Sequence, residues 1–480
     1  MSEINPSIFK TYDIRGIYPE EIDAEAIEKI ATAQAKYLNL KFIAIGYDAR
    51  ISSPEFAKAA REAFIKMGVN VYDIGQVPIE VLYFACGQLK TDGGMMITAS
   101  HNPREYNGIK MVREDAKPLT SGSGLEEVKE IALETKEPKS RRFGNVGIPI
   151  EASGNLRTEE QDTKKRGEIK KVDIWPEYLK KITSLVNEKH FKAIKIACDA
   201  SNGVGGKAVE QLAEKLPIEV IKINFKPDGN FPNHEPNPMI SANREQLRKA
   251  CLENKDISLG VIFDGDADRA IFLDENGQFI DTDFTAALVT KILFDKNPGQ
   301  PIVYDLRRGW AVKDQTEILG SKYYPSKSGY PFIKAKMRDV KAIFGGEASA
   351  HCFYRDFFYS DSSAITLILI LEFLSKNNLK MSEAIEEYLE AYFMYEETNF
   401  KISNQEKVFE ALEKEFSSGA VDKTDGLSIS FDDWHLNIRG SNTQPLVRLN
   451  IEGKNPEIIE IKRDKIVKII EDLGGIIVEE

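Results

Sequence analysis

The 480-residue sequence predicts an α/β protein, with three related α/β units followed by a smaller α+β end. Three features point that way. Short apolar runs alternate with stretches of helical period along most of the chain. An imperfect internal repeat returns three times, each time as a strand-like run ending in Asp. After about Tyr395 the pattern changes to alternating strand-like segments and a final helix-like stretch.

In chain order, the repeat opens at residues 42–48, 193–199 and 301–305. A second strand-like run follows each at a similar interval, at 69–74, 218–223 and 322–324. A third run closes each unit and leads into a polar loop, at 98–103, 263–269 and 344–351. Ligands of open α/β sheets bind outside the carboxyl ends of strands, so these loops are candidates for ligand contact. Between the first two units, residues 135–171 are polar and charged. They read as a surface excursion or linker whose basic runs are solvated faces. Residues 172–176 then open a helix-like stretch over 177–185. At the chain's end, 427–431 and 447–451 alternate as strands and 458–473 has helical period. The four units are placed at 1–150, 151–280, 281–395 and 396–480, the second starting with the linker to about 171.

Composition limits the function classes. Hydrophobic residues make up 42% and charged residues 29%, as in a soluble globular protein. A formal net charge of −12 argues against a general nucleic-acid or anionic-membrane surface. Local Arg and Lys can still bind a small anion. Cys86, Cys198, Cys251 and Cys352 are scattered without C-x-x-C spacing, which reads as reduced thiols and no structural zinc. The start has neither a basic n-region nor an apolar h-region, and no run approaches the ~20 apolar residues of a membrane span. A cytoplasmic protein without nucleic-acid or membrane partners is expected.

The polar loops carry the chemistry. Residues 93–97 read as two glycines and a short apolar strand, and Asn102-Pro103 as a turn. Ser100 is therefore a hydroxyl at a strand end, in either a cleft or an ordinary polar turn. Asp264, Asp266 and Asp268 alternate, so in an extended loop their carboxylates can converge on Mg²⁺, Mn²⁺ or Ca²⁺. An EF-hand fails at its sixth position, which needs Gly and holds Arg269. Arg439, Gly440, Ser441, Asn442, Thr443 and Arg448 suit a phosphate dianion, or a structural turn between two strands. Glu347, Ser349 and His351 supply an acceptor, a hydroxyl and an imidazole, for sugar hydroxyls or for a polar turn. Arg15 beside Gly16, and Lys110 beyond Ser100, are surface charges or partners of a phosphate. Together these groups describe phosphoryl transfer on a phosphosugar.

With residues 12–16, 46–50, 98–103, 228–232, 264–269, 346–351 and 439–448 in that order, the chain resembles an α-D-phosphohexomutase of the phosphomannomutase/phosphoglucomutase group over nearly its whole length. The resemblance implies three related α/β domains with mixed sheets, plus a C-terminal α+β domain, around a central cleft. It implies that Ser100 is carried as phosphoserine, whose phosphate joins Asp264, Asp266 and Asp268 around one Mg²⁺. Glu347 and Ser349 would bind the sugar, with His351 and Tyr330 nearby. Arg439, Ser441, Asn442, Thr443 and Arg448 would hold the unreacting phosphate. Arg15, His101, Lys110 and Arg269 would surround the transferred phosphoryl group. The implied activity interconverts hexose 1-phosphate and hexose 6-phosphate, of mannose and/or glucose, through hexose 1,6-bisphosphate, which also serves as activator. Lys110 or His101 would relay protons. The enzyme would be a monomer or homodimer.

Asn442 resembles the mannose and glucose enzymes, since phosphoglucosamine relatives usually carry Gly there. The chain departs from the family at Ala350, where Gly is usual, at Lys10, where many have Arg, and at Tyr330, where His often follows the Gly. Three other functions compete: a phosphoglucosamine mutase, a non-catalytic cation-dependent phosphosugar-binding protein, and a serine hydrolase built on Ser100 and His101. Against the hydrolase stand the missing G-x-S-x-G elbow and the expectation that adjacent side chains at a strand end point apart.

Overall fold

The apolar runs of the repeat become the central strands of three sheets in a computed structural model that describes residues 4–134, 166–440 and 446–478. The first sheet contains β1 (Ile14–Ile17), β2 (Phe42–Tyr47), β3 (Asn70–Gln76), β4 (Gly93–Ile97), β5 (Tyr106–Arg113) and β6 (Ile169–Lys171), in the order β1-β5-β4-β2-β3-β6. The second contains β7 (Ile194–Asp199), β8 (Ile218–Ile223), β9 (Leu259–Phe263) and β10 (Ala270–Leu273), ordered β10-β9-β7-β8. The third contains β11 (Ile302–Asp305), β12 (Tyr323–Ser326), β13 (Phe344–Gly346), β14 (Cys352–Tyr354) and β15 (Ser360–Asp361), ordered β12-β11-β13-β14-β15.

Each sheet repeats one motif, in which three parallel strands are followed by one antiparallel strand. These are β3-β2-β4-β5, β8-β7-β9-β10 and β12-β11-β13-β14. The parallel strands read as continuous apolar runs because both faces are covered. In β2 and β4, Ile43, Ile45, Met95 and Ile97 enter one core while Ala44 and Met96 enter another. The Asp closing the first strand of each unit makes the same turn in all three. Its carboxylate accepts the backbone N–H two residues on: Arg50 to Asp48 at 2.9 Å, Ser201 to Asp199 at 2.8 Å and Arg307 to Asp305 at 3.0 Å. This turn stops the strand and starts the loop at its carboxyl end.

One apolar core runs through all three units, with Phe84 from the first, Tyr178 and Phe263 from the second, and Phe344 and Phe357 from the third. The C-terminal unit instead has its own core around Phe400, Trp434, Leu436 and Ile466. Its sheet holds β17 (Thr398–Lys401), β18 (Ala420–Asp422), β19 (Leu427–Ser430), β20 (Trp434–Gly440), β21 (Leu446–Gly453) and β22 (Ile476–Val478), joined by β16 (Phe393–Met394) from just before residue 396. They run β18-β19-β20-β21-β17-β22, with β16 beside β21. The helix Pro456–Asp472 supplies Ile459, Ile466 and Ile470 to that core.

Two details differ from the sequence expectation. The helix placed at 177–185 spans Trp175–Thr183, with Pro176 in the first turn, where its missing N–H leaves no bond unmade. The stretch read as linker ends in β6, which pairs parallel to β3 at the sheet edge, while 135–165 lie outside the described residues. Among the described residues no helix is long and apolar enough to cross a membrane.

Candidate active site

The serine loop is built around a buried cation. Arg50, two residues beyond the strand-end Asp48, turns back into the loop after β4. Its NH1 donates to the carbonyls of Pro103 at 2.7 Å and Tyr106 at 2.8 Å, and its NH2 to those of Ser100 at 2.9 Å and Asn102 at 2.6 Å. Asp48 lies 3.2 Å from Arg50 Nε. Ser100 itself has φ +51°, in the left-handed region. That conformation breaks the alternation of extended backbone, so Ser100 Oγ lies 3.2 Å from His101 Nδ1 instead of pointing away from it. Arg15, held by Asp13 at 2.8 and 2.9 Å, also reaches Asn102 Oδ1.

The acidic loop connects β9 to β10. Gly265 passes so close to the serine loop that a Cβ there would lie 2.5 Å from the Ser100 carbonyl oxygen. Ser100 Oγ donates to Asp264 Oδ2 at 2.8 Å. Asp264, Asp266 and Asp268 are all buried, with one oxygen of each within 4.8 Å of the others. Lys110 on β5 reaches Asp266 Oδ2 at 2.9 Å and Asp268 Oδ2 at 2.6 Å, and Thr98 Oγ1 donates to Asp266 at 3.1 Å. Burial, then the charges of Asp268 and Asp266, hold the Asp264 carboxyl well above the usual range. Asp266 Oδ1 is buried without a hydrogen-bond partner among the described residues. Asp268 Oδ1 is likewise without a hydrogen-bond partner, and crowded hard oxygens, two of them unsatisfied, fit a divalent cation such as Mg²⁺.

The third loop faces this cluster. Glu347 accepts from Gly329 N at 2.6 Å and from Ser349 Oγ at 3.3 Å. His351 lies between Glu347 Oε2 at 3.1 Å and Asp268 Oδ1 at 3.4 Å. Burial opposes its charge, but Asp268 and Glu347 outweigh burial and push it up to about 9. Glu347 is held down to about 2, with His351 and Arg307 outweighing its burial. Ala350, in the place of the family's Gly, has φ +73°. Tyr330 donates to the Tyr12 carbonyl at 2.8 Å, joining the third unit to the first.

From the C-terminal unit, Arg439 and Arg448 pair with each other across β20 and β21. Arg448 NH1 donates to Glu397 Oε1 at 3.3 Å, and Arg307 NH1 lies 3.7 Å from Glu397 Oε2. Ser441, Asn442 and Thr443 lie outside the described residues. His101, Lys110, Arg269 and His351 gather around Ser100 and the acidic loop, while Arg439 and Arg448 lie with Asp425, Glu397 and Arg307. Neither Arg50 nor Arg307 is among the site residues that the sequence predicts. The available signal was the Asp-x-Arg recurring after the first strand of units one and three.

Four family models match in chain order. Phosphoglucomutase/phosphomannomutase alpha/beta/alpha domain I covers residues 6–139, domain II 176–277, domain III 281–392, and the C-terminal domain 397–469. The chain is 36% identical to a phosphomannomutase of Escherichia coli (strain K12), over 93% of this chain and 94% of that one. It is 35% identical to a protein of Xanthomonas campestris pv. campestris named phosphohexose mutases, over 96% and 98%. Its backbone matches the crystal structure of a phosphoglucomutase/phosphomannomutase family protein from Burkholderia thailandensis with a TM-score of 0.84, at 26% identity over 98% of each chain.

Proposed function

The chain belongs to the phosphoglucomutase/phosphomannomutase family and is a phosphohexomutase, and on that premise we propose how its residues divide the work. The family reaction moves a phosphoryl group from a phosphoserine to a hexose phosphate, then takes back the other phosphoryl from the resulting bisphosphate. Ser100 is the carrier. The observation behind this assignment is the 2.8 Å bond from Ser100 Oγ to Asp264 inside a triad of buried carboxylates.

In the first transfer the P–Oγ bond at Ser100 breaks as a P–O bond forms to the free sugar hydroxyl. His101 Nδ1, 3.2 Å from Oγ, is placed to take the hydroxyl's proton and return one to the departing Oγ. Asp264, Asp266 and Asp268 would hold Mg²⁺, which supplies positive charge for the oxygens of the transferring group. Arg15, Lys110 and Arg269 add fixed cations around the same oxygens. Glu347, Ser349 and His351 take sugar hydroxyls, and Tyr330 bounds the sugar's approach. Arg439, Ser441, Asn442, Thr443 and Arg448, with Arg307, hold the phosphate that does not react. The bisphosphate turns over in the cleft, and Ser100 accepts its other phosphoryl in the reverse sequence. Added hexose 1,6-bisphosphate activates by recharging Ser100. Units at 1–150, 151–280, 281–395 and 396–480 each give residues to the site, so a monomer contains every group required.

The test is isomerisation of mannose 1-phosphate and glucose 1-phosphate, with Mg²⁺ and catalytic hexose 1,6-bisphosphate, by wild type and Ser100→Ala. Turnover that disappears in the variant is expected, and the ratio of the two wild-type rates gives the preferred hexose. Turnover retained by Ser100→Ala overturns the assignment.

A further inference from the structure

The acidic loop belongs to the second unit, yet two of its main-chain carbonyls are held by the other units. The Asp266 carbonyl accepts the N–H of Ile79 at 3.0 Å, and Ile79 opens the helix Ile79–Leu89 of the first unit. The Ala267 carbonyl accepts Ser363 Oγ at 2.6 Å, and Ser363 opens the helix Ser363–Asn377 of the third. Ala267 separates Asp266 from Asp268 and has φ +59°, a conformation a non-glycine residue keeps only when its surroundings hold it there. Both Ala267 and Ser363 are buried. The helix does not need the Ser363 hydroxyl for its own start, because the Ser362 side chain caps it by accepting from Ile365 N at 3.1 Å.

We infer that Ser363 is a positioning residue for the metal site. Its hydroxyl pins the left-handed residue between Asp266 and Asp268, and so sets the separation of two carboxylates that share one cation. Ser363 is buried and its hydroxyl is committed to the Ala267 carbonyl, so it acts through the loop's backbone. The role rests on the assignment of the acidic triad as the metal site. It links metal affinity to the packing of the third unit against the second.

The full chain, stripped of metal by chelation, is titrated with Mn²⁺ while the free ion is followed by electron paramagnetic resonance. Metal-free thermal unfolding is measured alongside, for wild type, Ser363→Ala and Ser363→Thr. Losing one buried hydrogen bond predicts Mn²⁺ affinity weakened about ten-fold in Ser363→Ala. Its metal-free melting temperature is expected to stay close to wild type, and its kcat to return at saturating metal. Ser363→Thr, which keeps the donor, is expected to bind nearly as wild type does. Unchanged affinity in Ser363→Ala overturns the inference. So does a Thr variant as weak as the Ala one, or an Ala variant that loses its metal-free fold. A wild type that binds Mn²⁺ but isomerises no hexose phosphate would count against the proposed function and leave the Ser363 comparison standing. A wild type that isomerises, with Ser363→Ala binding Mn²⁺ as tightly, defeats this inference alone. A wild type that binds no Mn²⁺ overturns both.

Discussion

Arg50 holds the serine loop through four carbonyl contacts from one planar guanidinium, a geometry that a Lys ammonium with three donors cannot reproduce. Arg50→Lys is expected to lower kcat by about ten-fold or more with KM nearly unchanged, since carbonyls left unpaired in a buried loop shift Ser100. Steady-state kinetics at saturating metal checks this, and an unchanged kcat would mean the loop holds itself. Arg50→Met leaves Asp48 buried without its cation, so a loss of about 3 kcal/mol or more is expected in chemical denaturation. Ser100 and the three Asp were legible in the sequence because each motif is contiguous and its residue types dictate its chemistry. The target of Arg50 lies some fifty residues further along the chain, and no local pattern shows such a pairing. The proximity of Ser100 and His101 departs from the sequence expectation for a related reason. The alternation rule assumes extended backbone, and the left-handed φ at Ser100 appears only in three dimensions.

At the level of elements, the turn from β9 to β10 has to bring the acidic loop against the serine loop, and Gly265 is where they meet. A Cβ at 265 would lie 2.5 Å from the Ser100 carbonyl, an atom of the backbone that cannot swing aside. Gly265→Ala is therefore expected to push the two loops apart and lower kcat by about a hundred-fold, as small misplacements near reacting groups do. Its metal-free melting temperature should fall by only a few degrees. Kinetics and thermal unfolding on one preparation check both, and full activity in this variant would contradict the close approach. The strands of the repeat were legible because parallel strands covered on both faces must be continuously apolar. The edge strand β6, Ile169-Lys170-Lys171, is exposed and mostly polar, so it carries no such pattern and is indistinguishable from a linker in the sequence.

Over the whole molecule, three units meet at Glu80. This carboxyl, on the helix Ile79–Leu89 of the first unit, accepts from Ser362 Oγ of the third and has Tyr178 of the second beside it. Burial raises it from 4.5 to about 7. A carboxyl raised on folding binds its proton more tightly in the folded state. Its contribution is fully present below about pH 4.5 and is lost as pH rises through about 7. Glu80→Gln should remove that slope, so the stability difference between variant and wild type should change in the variant's favour from pH 5 to pH 8. Denaturant midpoints across that range check it, and parallel curves would contradict it. The four-unit plan was legible through the repeat and the motif order. The contacts that join the units, such as Glu80 with Ser362 or Tyr330 with Tyr12, connect residues about three hundred positions apart and were not.

The measurement that bears most directly on the central claim is peptide mapping by mass spectrometry after incubation with hexose 1,6-bisphosphate and Mg²⁺, followed by a chase with hexose 1-phosphate. One phosphoryl group on Ser100, removed by the chase and missing from Ser100→Ala, is the predicted result. Isomerisation by wild type with Ser100 unmodified, or with the phosphoryl group carried on another residue, would contradict it.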